Sequence, residues 1–439
     1  MLTVIKNAVD RLAAHSGIRR YFFNTAWTAA EQILRIVAGL LVGIWVTRYL
    51  GPEKFGNFSY ALAFVAIFGG IAKLGLDGIV VRDLILEPSK RDIYLGTAFW
   101  LKVFSAIVTL SIITIATIFT SNNQLTNLYI LIVASGIIFQ SFEVVDFYFQ
   151  SKVLARLVSL CKISQLFISS LMKIYFVLTE ADLFWFVVVS LFDQITLAVA
   201  FYIAYRQQRL GGFYRHFELK TACHFLKAGW PVIFSGLVIM IYMRSDQIMI
   251  KEMLGEREVG LYSAAVRLSE MWYFIPGAIV SSLFPAIVSA RKISMNLYYT
   301  RLQRLYTLLA WTAIGIALPV TFLSDWIVVV IYGEAYKEAG RVLMIHVWAG
   351  VFVFLGIASS AYLYSENFIR KILYRSLFGA VSNILLNLML IPRYGISGAA
   401  VSTLLAQVAA NCMYDIFDKS LYRELKLKTL AILNPASIK

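Results

Sequence analysis

The segment AEQILRIVAGLLVGIWVTRYLGPEKFGNFSYALAFVAIFGGIAKLGLD, residues 30–77, determines the fold class. It contains two apolar runs, separated by a short polar stretch around Gly51 and Pro52. An apolar run of about 20 residues spans the hydrocarbon core of a bilayer when it is helical. Gly and Pro between such runs interrupt the helix. The segment therefore predicts two membrane-spanning helices joined by a tight turn.

The whole chain has the composition of an integral membrane protein. Of its 439 residues, 60% are apolar and only 15% are charged, and the mean hydropathy is +0.74. Soluble proteins carry about 25% charged residues, so the composition excludes a soluble protein. Three cysteines, Cys161, Cys223 and Cys412, are far apart and form no C-x-x-C pair. We therefore expect no disulfide, no metal site and no cofactor.

Twelve apolar stretches that are long enough to cross a membrane follow one another along the chain. They cover residues 22–47, 57–81, 93–120, 127–150, 157–179, 183–205, 228–250, 260–290, 302–323, 341–365, 372–391 and 396–418. We expect an all-α integral membrane protein with twelve transmembrane helices, arranged as two six-helix bundles around a central cavity. The bundles would comprise residues 21–205 and 228–418, joined by a cytoplasmic linker, 206–227. A basic segment, 1–20, precedes them, and a basic tail, 419–439, follows.

Lysine and arginine residues are distributed unevenly between alternate loops. One side of the membrane would carry 26 of the 40 cations, including both chain ends, and the opposite loops only seven. Because positively charged loops resist translocation, both termini should be cytoplasmic. The net charge of +15 is then explained by topology and by attraction to anionic lipid headgroups. We therefore expect membrane lipids, and no nucleic acid, as partners.

The two halves of the chain contain a short repeat. At a constant offset of 204 residues, LGPEKFGNFSYA (50–61) aligns with LGEREVGLYSAA (254–265), with five identities. Both stretches lie in the first hairpin of a half. An even number of helices per half predicts halves of the same orientation, related by an axis along the membrane normal.

Charges inside the spans are the candidate functional residues, because each costs about 2.5–3.5 kcal/mol at a helix centre. Arg35 lies near the middle of its span, and Arg244 and Arg267 lie in the outer halves of theirs. Guanidinium groups facing a central cavity would bind an anionic cargo, phosphate above all. In the alternative interpretation Arg35 neutralises Glu31 at i,i+4 and Arg267 neutralises Glu270 at i,i+3.

Lys73 and Asp77, at i,i+4, have two interpretations. Lys73 is a candidate for headgroup binding and Asp77 for ion coupling, or the two form a neutral pair that only stabilises helix packing. Three other lysines, Lys102, Lys162 and Lys173, are within reach of a span end, and we expect them to extend toward the interface.

Glu143 and Asp146 stand at i,i+3 with no cation at helical spacing, and Asp193 is a lone central carboxylate. Such carboxylates could bind a proton or sodium ion for coupling, or they could simply be solvated. The chain contains no phosphate-binding loop and no motif of a hydrolase or metalloprotease. Transport would therefore be driven by an ion gradient or by the membrane potential, and we expect no enzyme.

Four stretches resemble the conserved segments of one family of membrane proteins. The first is RYLGPEKFGNFSYA (48–61), preceded by Asn24, Trp27, Glu31 and Arg35 in the first span. The others are KLGLDGIVVRDL (73–84), YGEAYKEAGRVL (332–343) and NILLNLMLIPRYGISGAAVST (383–403). In this order and spacing they resemble the bacterial polysaccharide-biosynthesis membrane proteins, the O-antigen repeat-unit flippases.

The resemblance implies membership of the multidrug/oligosaccharidyl-lipid/polysaccharide exporter superfamily and a location in the bacterial cytoplasmic (inner) membrane. It also implies the cargo, an undecaprenyl-diphosphate-linked oligosaccharide moved from the cytoplasmic to the outer leaflet. Intramembrane cations of the family are thought to contact the anionic headgroup, which fits Arg35, Arg244 and Arg267 by position. Other polysaccharide-assembly proteins are further expected partners.

Two alternative functions belong to other classes. An ion-coupled small-molecule exporter of the same superfamily would have a cavity dominated by carboxylates. A polytopic glycan polymerase or ligase would need a large outer loop with catalytic residues, whereas the longest outer loop here is 324–340.

Overall fold

A computed structural model of the chain describes residues 16–366 and 368–434. The first 15 residues of the expected basic segment and the last five of the expected tail lie outside this range. The helices are α1 (Ser16–Lys73), α2 (Asp77–Leu86), α3 (Arg91–Ile118), α4 (Gln124–Ser135), α5 (Val144–Ser151), α6 (Ala155–Leu178), α7 (Leu183–Gln207), α8 (Leu219–Met253), α9 (Glu256–Glu270), α10 (Phe274–Ile293), α11 (Met295–Tyr332), α12 (Ala339–His346), α13 (Ala349–Ser365), α14 (Ile369–Val408), α15 (Tyr414–Phe417) and α16 (Tyr422–Leu433). A 3-10 segment, Gly136–Glu143, joins α4 to α5, and a π-helical turn, Ala409–Met413, joins α14 to α15. The described part of the chain contains no strand.

Two of the longest helices, α1 and α14, are broken at a glycine. Helix α1 has 58 residues, which in a straight helix would extend about 87 Å, against about 30 Å of hydrocarbon. It breaks at Gly51, with φ 69° and ψ 171°, directly before Pro52. Helix α14 breaks at Gly395, with φ 59°. Glycine is the residue that adopts such angles without steric cost, so each break is encoded locally.

Ten helical stretches in the described residues are long and apolar enough to cross a membrane. Two of them, Trp27–Leu86 and Arg370–Phe417, contain the breaks at Gly51 and Gly395. The chain is therefore an all-helical, multi-pass membrane protein, as its composition predicts.

The chain divides by contacts into two compact units. The first comprises the residues up to 46 together with 68–236, and the second comprises 47–67 together with 237 onward. Residues 47–67, which the span assignment groups with the first half, therefore pack with the second unit. Helix α8 contributes its first part to one unit and its second part to the other.

The core of the first unit includes part of the segment 206–227. Phe213 from this segment is only 1% exposed. Its ring meets that of Tyr205 on α7 edge-on, with 5.1 Å between centroids. The middle of the segment is thus a packed part of the unit.

The core of the second unit includes the C-terminal helix. Leu427 and Ala431 of α16 pack with residues of α11 and α13 in one apolar cluster. Trp311 of α11 donates a hydrogen bond from Nε1 to the Ala431 carbonyl at 3.1 Å. Residues 422–433 are therefore an integral part of this unit.

Candidate functional site

The second unit contains a cavity of about 450 Å³ that brings Arg244 and Arg267 together. Arg244 comes from α8 and Arg267 from α9, together with Glu270. Residues of the segment 47–67 form the opposite wall. We call this space the arginine cavity.

The charged lining of the arginine cavity has a formal excess of one positive charge, since Arg244 and Arg267 face one carboxylate. That carboxylate, Glu270, interacts electrostatically with Arg244. Two planar guanidinium forks in one cavity can each donate paired hydrogen bonds to phosphate oxygens. The site is therefore suited to a phosphate-containing group, which would compete with Glu270 for the arginines.

A second cavity of about 310 Å³ contains Asp246 of α8. Asp246 is 4% exposed. It accepts hydrogen bonds of 2.6 Å from Tyr262 Oη and 2.6 Å from Asn387 Nδ2, and another from Thr403 Oγ1. Among the described residues no Lys, Arg or His forms an ion pair with it. Three neutral donors thus hold a buried carboxylate whose oxygens line the cavity. We call it the carboxylate cavity.

Further oxygen atoms lie around Asp246. Asn387 is completely buried, and within the described ranges its Oδ1 has no hydrogen-bond partner. Asn383 Oδ1 lies one hydrogen bond away, at 3.1 Å from Asn387 Nδ2. Carboxylate, amide and hydroxyl oxygens are the ligands that hard cations prefer. The sequence-based selection of candidates did not include Asp246, because its hydrogen-bond partners lie 16 to 157 positions away.

The two cavities share part of their lining. Gln247, Val266 and Glu270 border both of them. A change of charge in one cavity is therefore close enough to affect the other electrostatically.

Three of the four carboxylates predicted for coupling, Glu143, Asp146 and Asp193, pair with lysines from other helices. Lys102 Nζ lies 2.8 Å from Glu143 Oε2. Lys162 Nζ lies 3.2 Å from Asp146 Oδ2, and Lys173 Nζ lies 3.2 Å from Asp193 Oδ2. The expectation that Lys102 extends to the interface is wrong, because its side chain is only 2% exposed. Partners from neighbouring helices cannot be identified from helical spacing.

Lys73 and Asp77 do not share a helix, contrary to the i,i+4 interpretation. Helix α1 ends at Lys73, and Leu74 and Gly75 follow with φ of 55° and 60°. Asp77 then lies in the first turn of α2, where a negative charge stabilises the helix dipole. Both side chains are exposed.

Arg35 belongs to the first unit and pairs with Glu31 within α1. The atoms Arg35 Nη2 and Glu31 Oε1 are 2.7 Å apart, and the arginine side chain remains 45% exposed. The structure thus contains the neutralising pair. The binding of cargo by Arg35 stays a prediction.

A buried charge cluster in the second unit was not predicted. Arg375 and Lys428 pair with Asp415 and Glu424, and none of these four side chains is more than 6% exposed. Glu424 and Lys428 stand at i,i+4 in the segment predicted to be a cytoplasmic basic tail. The sequence contains one indication that this segment is a packed helix, because the apolar Leu427 lies between the two charges.

Comparisons with known proteins agree with the predicted resemblance. The probable flippase AglR of Haloferax volcanii is 23% identical over 413 residues, which cover 87% of this chain and 80% of that protein. The fold is that of an inward-facing multidrug resistance MATE family transporter of the MOP superfamily, with a TM-score of 0.71, 14% identity, and 90% and 95% of the two chains covered. It is also that of the lipid II flippase MurJ in an inward closed conformation, with a TM-score of 0.69, 16% identity, and 92% and 90% covered. These relatives are flippases and transporters by name, in agreement with the prediction that the chain is not an enzyme. The profile of the family described as polysaccharide biosynthesis protein matches residues 22–291, so the chain belongs to that family.

Proposed function

We propose that the protein flips an undecaprenyl-diphosphate-linked oligosaccharide, an O-antigen or similar repeat unit, from the cytoplasmic to the outer leaflet. The observation that carries the proposal is the arginine cavity, in which Arg244 and Arg267 meet. A diphosphate is the anionic part of such a cargo, and guanidinium is the side chain best matched to it. AglR is named a probable flippase and MurJ a lipid II flippase, and the second name supports a lipid cargo.

The proposed topology has twelve crossings in two six-helix bundles, with both termini in the cytoplasm of a bacterial cell. Two of the ten apolar helical stretches contain a glycine break, at Gly51 and Gly395. If each break is a turn at the membrane surface, those two stretches cross twice. An even number of crossings agrees with the excess of 26 to seven cations on the side of both chain ends.

We propose that an ion gradient drives the transport and that Asp246 carries the coupling. Its carboxylate is buried, accepts its hydrogen bonds from neutral donors and lies beside amide and hydroxyl oxygens, which are ligands that a hard cation prefers. Glu143, Asp146 and Asp193 already have lysine partners, which makes them weaker candidates. Asp77 interacts electrostatically with Lys102 and Glu143, so it stays a candidate together with that pair.

The cargo site can be tested by the binding of undecaprenyl diphosphate to the purified protein in nanodiscs. Arg244→Gln should weaken binding by about ten- to a hundredfold, because a charge-assisted hydrogen bond contributes about 1.5–3 kcal/mol. Arg244→Lys should retain part of the affinity, since it keeps the charge but loses the fork. The matched control is Arg257→Gln on α9, the helix that carries Arg267, which removes a surface pair with Glu338. Unchanged binding by Arg244→Gln combined with Arg267→Gln would contradict the proposal.

The coupling site can be tested in proteoliposomes under an imposed proton or sodium gradient. Asp246→Asn should remove the gradient-dependent part of transport and leave the protein folded, because the amide keeps the shape of the site. Glu143→Gln with Asp146→Asn should weaken that part less. If the order of the two effects is reversed, coupling resides in the first unit, and if neither variant changes transport, these carboxylates are structural.

A second candidate is an ion-coupled exporter of small molecules. The multidrug transporter fold at a TM-score of 0.71 favours it, and so does a carboxylate in a cavity. The binding experiment separates the two, since a drug-like cation should be repelled by Arg244 and Arg267, whereas a diphosphate should be attracted.

A further inference from the structure

A π-helical turn interrupts the last apolar helical stretch of the second unit. The turn comprises Ala409–Met413, and the Tyr414 N–H donates to the Ala409 carbonyl, five residues earlier. In an α-helix this bond would go to the fourth residue back. A π turn thus carries one residue more than an α-helical turn, and such turns occur frequently at functional sites. Winding it into an α-helix would rotate the helical parts on its two sides by about 100° relative to each other.

Lys428 of the C-terminal helix α16 contacts this turn directly. Its Nζ donates a hydrogen bond of 2.6 Å to the carbonyl oxygen of Asn411, in the middle of the turn. The same Nζ lies 2.8 Å from Asp415 Oδ2, two residues after the turn. The Lys428 side chain is only 1% exposed, so water cannot replace either contact. One buried ammonium group therefore fixes both the turn and the helix that follows it.

The helix that enters the turn carries part of the Asp246 site. Thr403, Gln407 and Asn411 follow one another at intervals of four residues, and all three line the carboxylate cavity. Thr403 Oγ1 donates a hydrogen bond to Asp246. Asn411 Nδ2 lies 3.1 Å from the Gln407 carbonyl oxygen and 3.0 Å from Gln407 Oε1, and donates to both. The rotation of this helix about its axis thus determines whether these polar groups face Asp246.

The wall of the cavity formed by α13 restricts Asn411 from another side. A Cβ atom added at Gly356 of α13 would overlap with Asn411 Oδ1. Any residue larger than glycine would therefore displace the amide. The turn is held at its backbone by Lys428 and at its side chain by α13.

We propose that Lys428 is a positioning residue of the Asp246 site, which acts through the Asn411 carbonyl and keeps the π turn formed. This role rests on the proposed coupling function of Asp246. Stability alone would not require a charge at this position, because well-packed apolar residues can replace buried ion pairs with little loss of stability. An apolar side chain could not donate to the Asn411 carbonyl. The C-terminal helix is thereby a part of the coupling site, although it follows the last predicted span.

The state of the π turn can be measured through Cys412, which lies within it and is partly buried. Cys161→Ala with Cys223→Ser leaves Cys412 as the single thiol of the chain. Its rate of reaction with N-ethylmaleimide reports how often the turn opens. Cys412 interacts electrostatically with Lys428. Loss of that positive charge by itself would disfavour the reactive thiolate and slow the reaction, so a faster reaction identifies opening of the turn.

Lys428→Met with Glu424→Gln removes the donor and leaves one balanced ion pair in the buried charge cluster. The labelling rate of Cys412 should rise by roughly ten- to a hundredfold, because the lost hydrogen bond has a charged donor. The matched control is Lys371→Met with Asp418→Asn, which removes a partly exposed pair of the same unit and should label like the parent chain. Labelling no faster than in this control overturns the proposal.

Gly356→Ala provides a second variant, which changes no charge and leaves α16 untouched. Its added methyl group should displace the Asn411 side chain and raise the labelling rate by about five- to a hundredfold. Gly350→Ala is its control on α13, because the added Cβ would lie 3.6 Å from Tyr273 Cε1, an ordinary contact. If the Lys428 variant does not fold, this pair decides, and equal labelling of the two glycine variants overturns the proposal.

The positioning role is measured separately, in proteoliposomes under an imposed proton or sodium gradient. The ion concentration that half-saturates gradient-driven transport should rise by roughly five- to fiftyfold in both test variants and in neither control. Faster labelling with an unchanged half-saturating concentration would make Lys428 a stabilising residue only and overturn the proposal. If Asp246→Asn abolishes gradient-driven transport while the Lys428 variant matches its control, only the positioning role is contradicted. If Asp246→Asn retains that transport, the coupling function of Asp246 itself is contradicted.

Discussion

Glu424→Gln is expected to destabilise the second unit strongly, although the sequence predicts that this residue lies in a cytoplasmic tail. The Glu424 side chain is 0% exposed. Its carboxylate oxygens lie 2.8 Å from Arg375 Nη2 and 3.2 Å from Lys428 Nζ, and one accepts a hydrogen bond of 2.8 Å from Tyr306 Oη. The substitution keeps the shape and removes the charge, so two buried cations would share only Asp415.

The expected magnitude follows from the pKa of Glu424. Burial alone would raise this pKa, but the neighbouring Lys428 and Arg375 outweigh burial and lower the pKa from 4.5 to about 2. A pKa lowered by this amount corresponds to about 3 kcal/mol of stability, in line with the roughly 3–5 kcal/mol lost when a buried ion pair is broken. Because the pKa is lowered on folding, this stability is present above about pH 4.5 and is lost as the pH falls toward 2.

The assay is thermal unfolding of the detergent-purified protein, followed by tryptophan fluorescence. At roughly 2–4 °C per kcal/mol for a unit of this size, a loss of about 3–5 kcal/mol should lower the melting temperature by about 6–20 °C. Asp418→Asn is the matched control, since it breaks a partly exposed pair with Lys371 and should cost at most about 1 kcal/mol. Glu424→Gln with Lys428→Met leaves Arg375 and Asp415 balanced and should recover most of the loss. A single variant that melts like the wild type, or a double variant that melts lower than the single one, would refute the reasoning.

Two further predictions concern the first unit and the topology. Arg35→Ala alone should lower the amount of inserted protein, measured on an immunoblot of membranes, because it leaves the buried Glu31 without its partner at 2.7 Å. Glu31→Gln with Arg35→Gln should restore the amount of inserted protein. If this double variant is inserted but inactive, binding of cargo by Arg35 is supported, and if it is fully active, that role is excluded. Cysteines placed at residue 215 and after residue 434 should both react only with a membrane-permeant reagent in intact cells, and reaction of either with an impermeant reagent would contradict the proposed orientation.

The sequence by itself determined the membrane class, the helical fold and the breaks in the long helices. Hydropathy and the angles that glycine allows are properties of a few neighbouring residues, so no tertiary information is needed. The Glu31–Arg35 pair could be predicted from the sequence for the same reason, since the two residues are one helical turn apart. The same rule failed for Lys73 and Asp77, because the φ of 60° at Gly75 ends the helix between them.

Only the tertiary structure decided which polar and charged side chains contact each other. Lys102 and Glu143 are 41 residues apart, and Asp246 and Asn387 are 141 apart, so their pairing depends on which helix faces pack together. The spacing of residues along the chain determines which side chains share one face of a helix. Which other helix packs against that face depends on the packing of the whole unit.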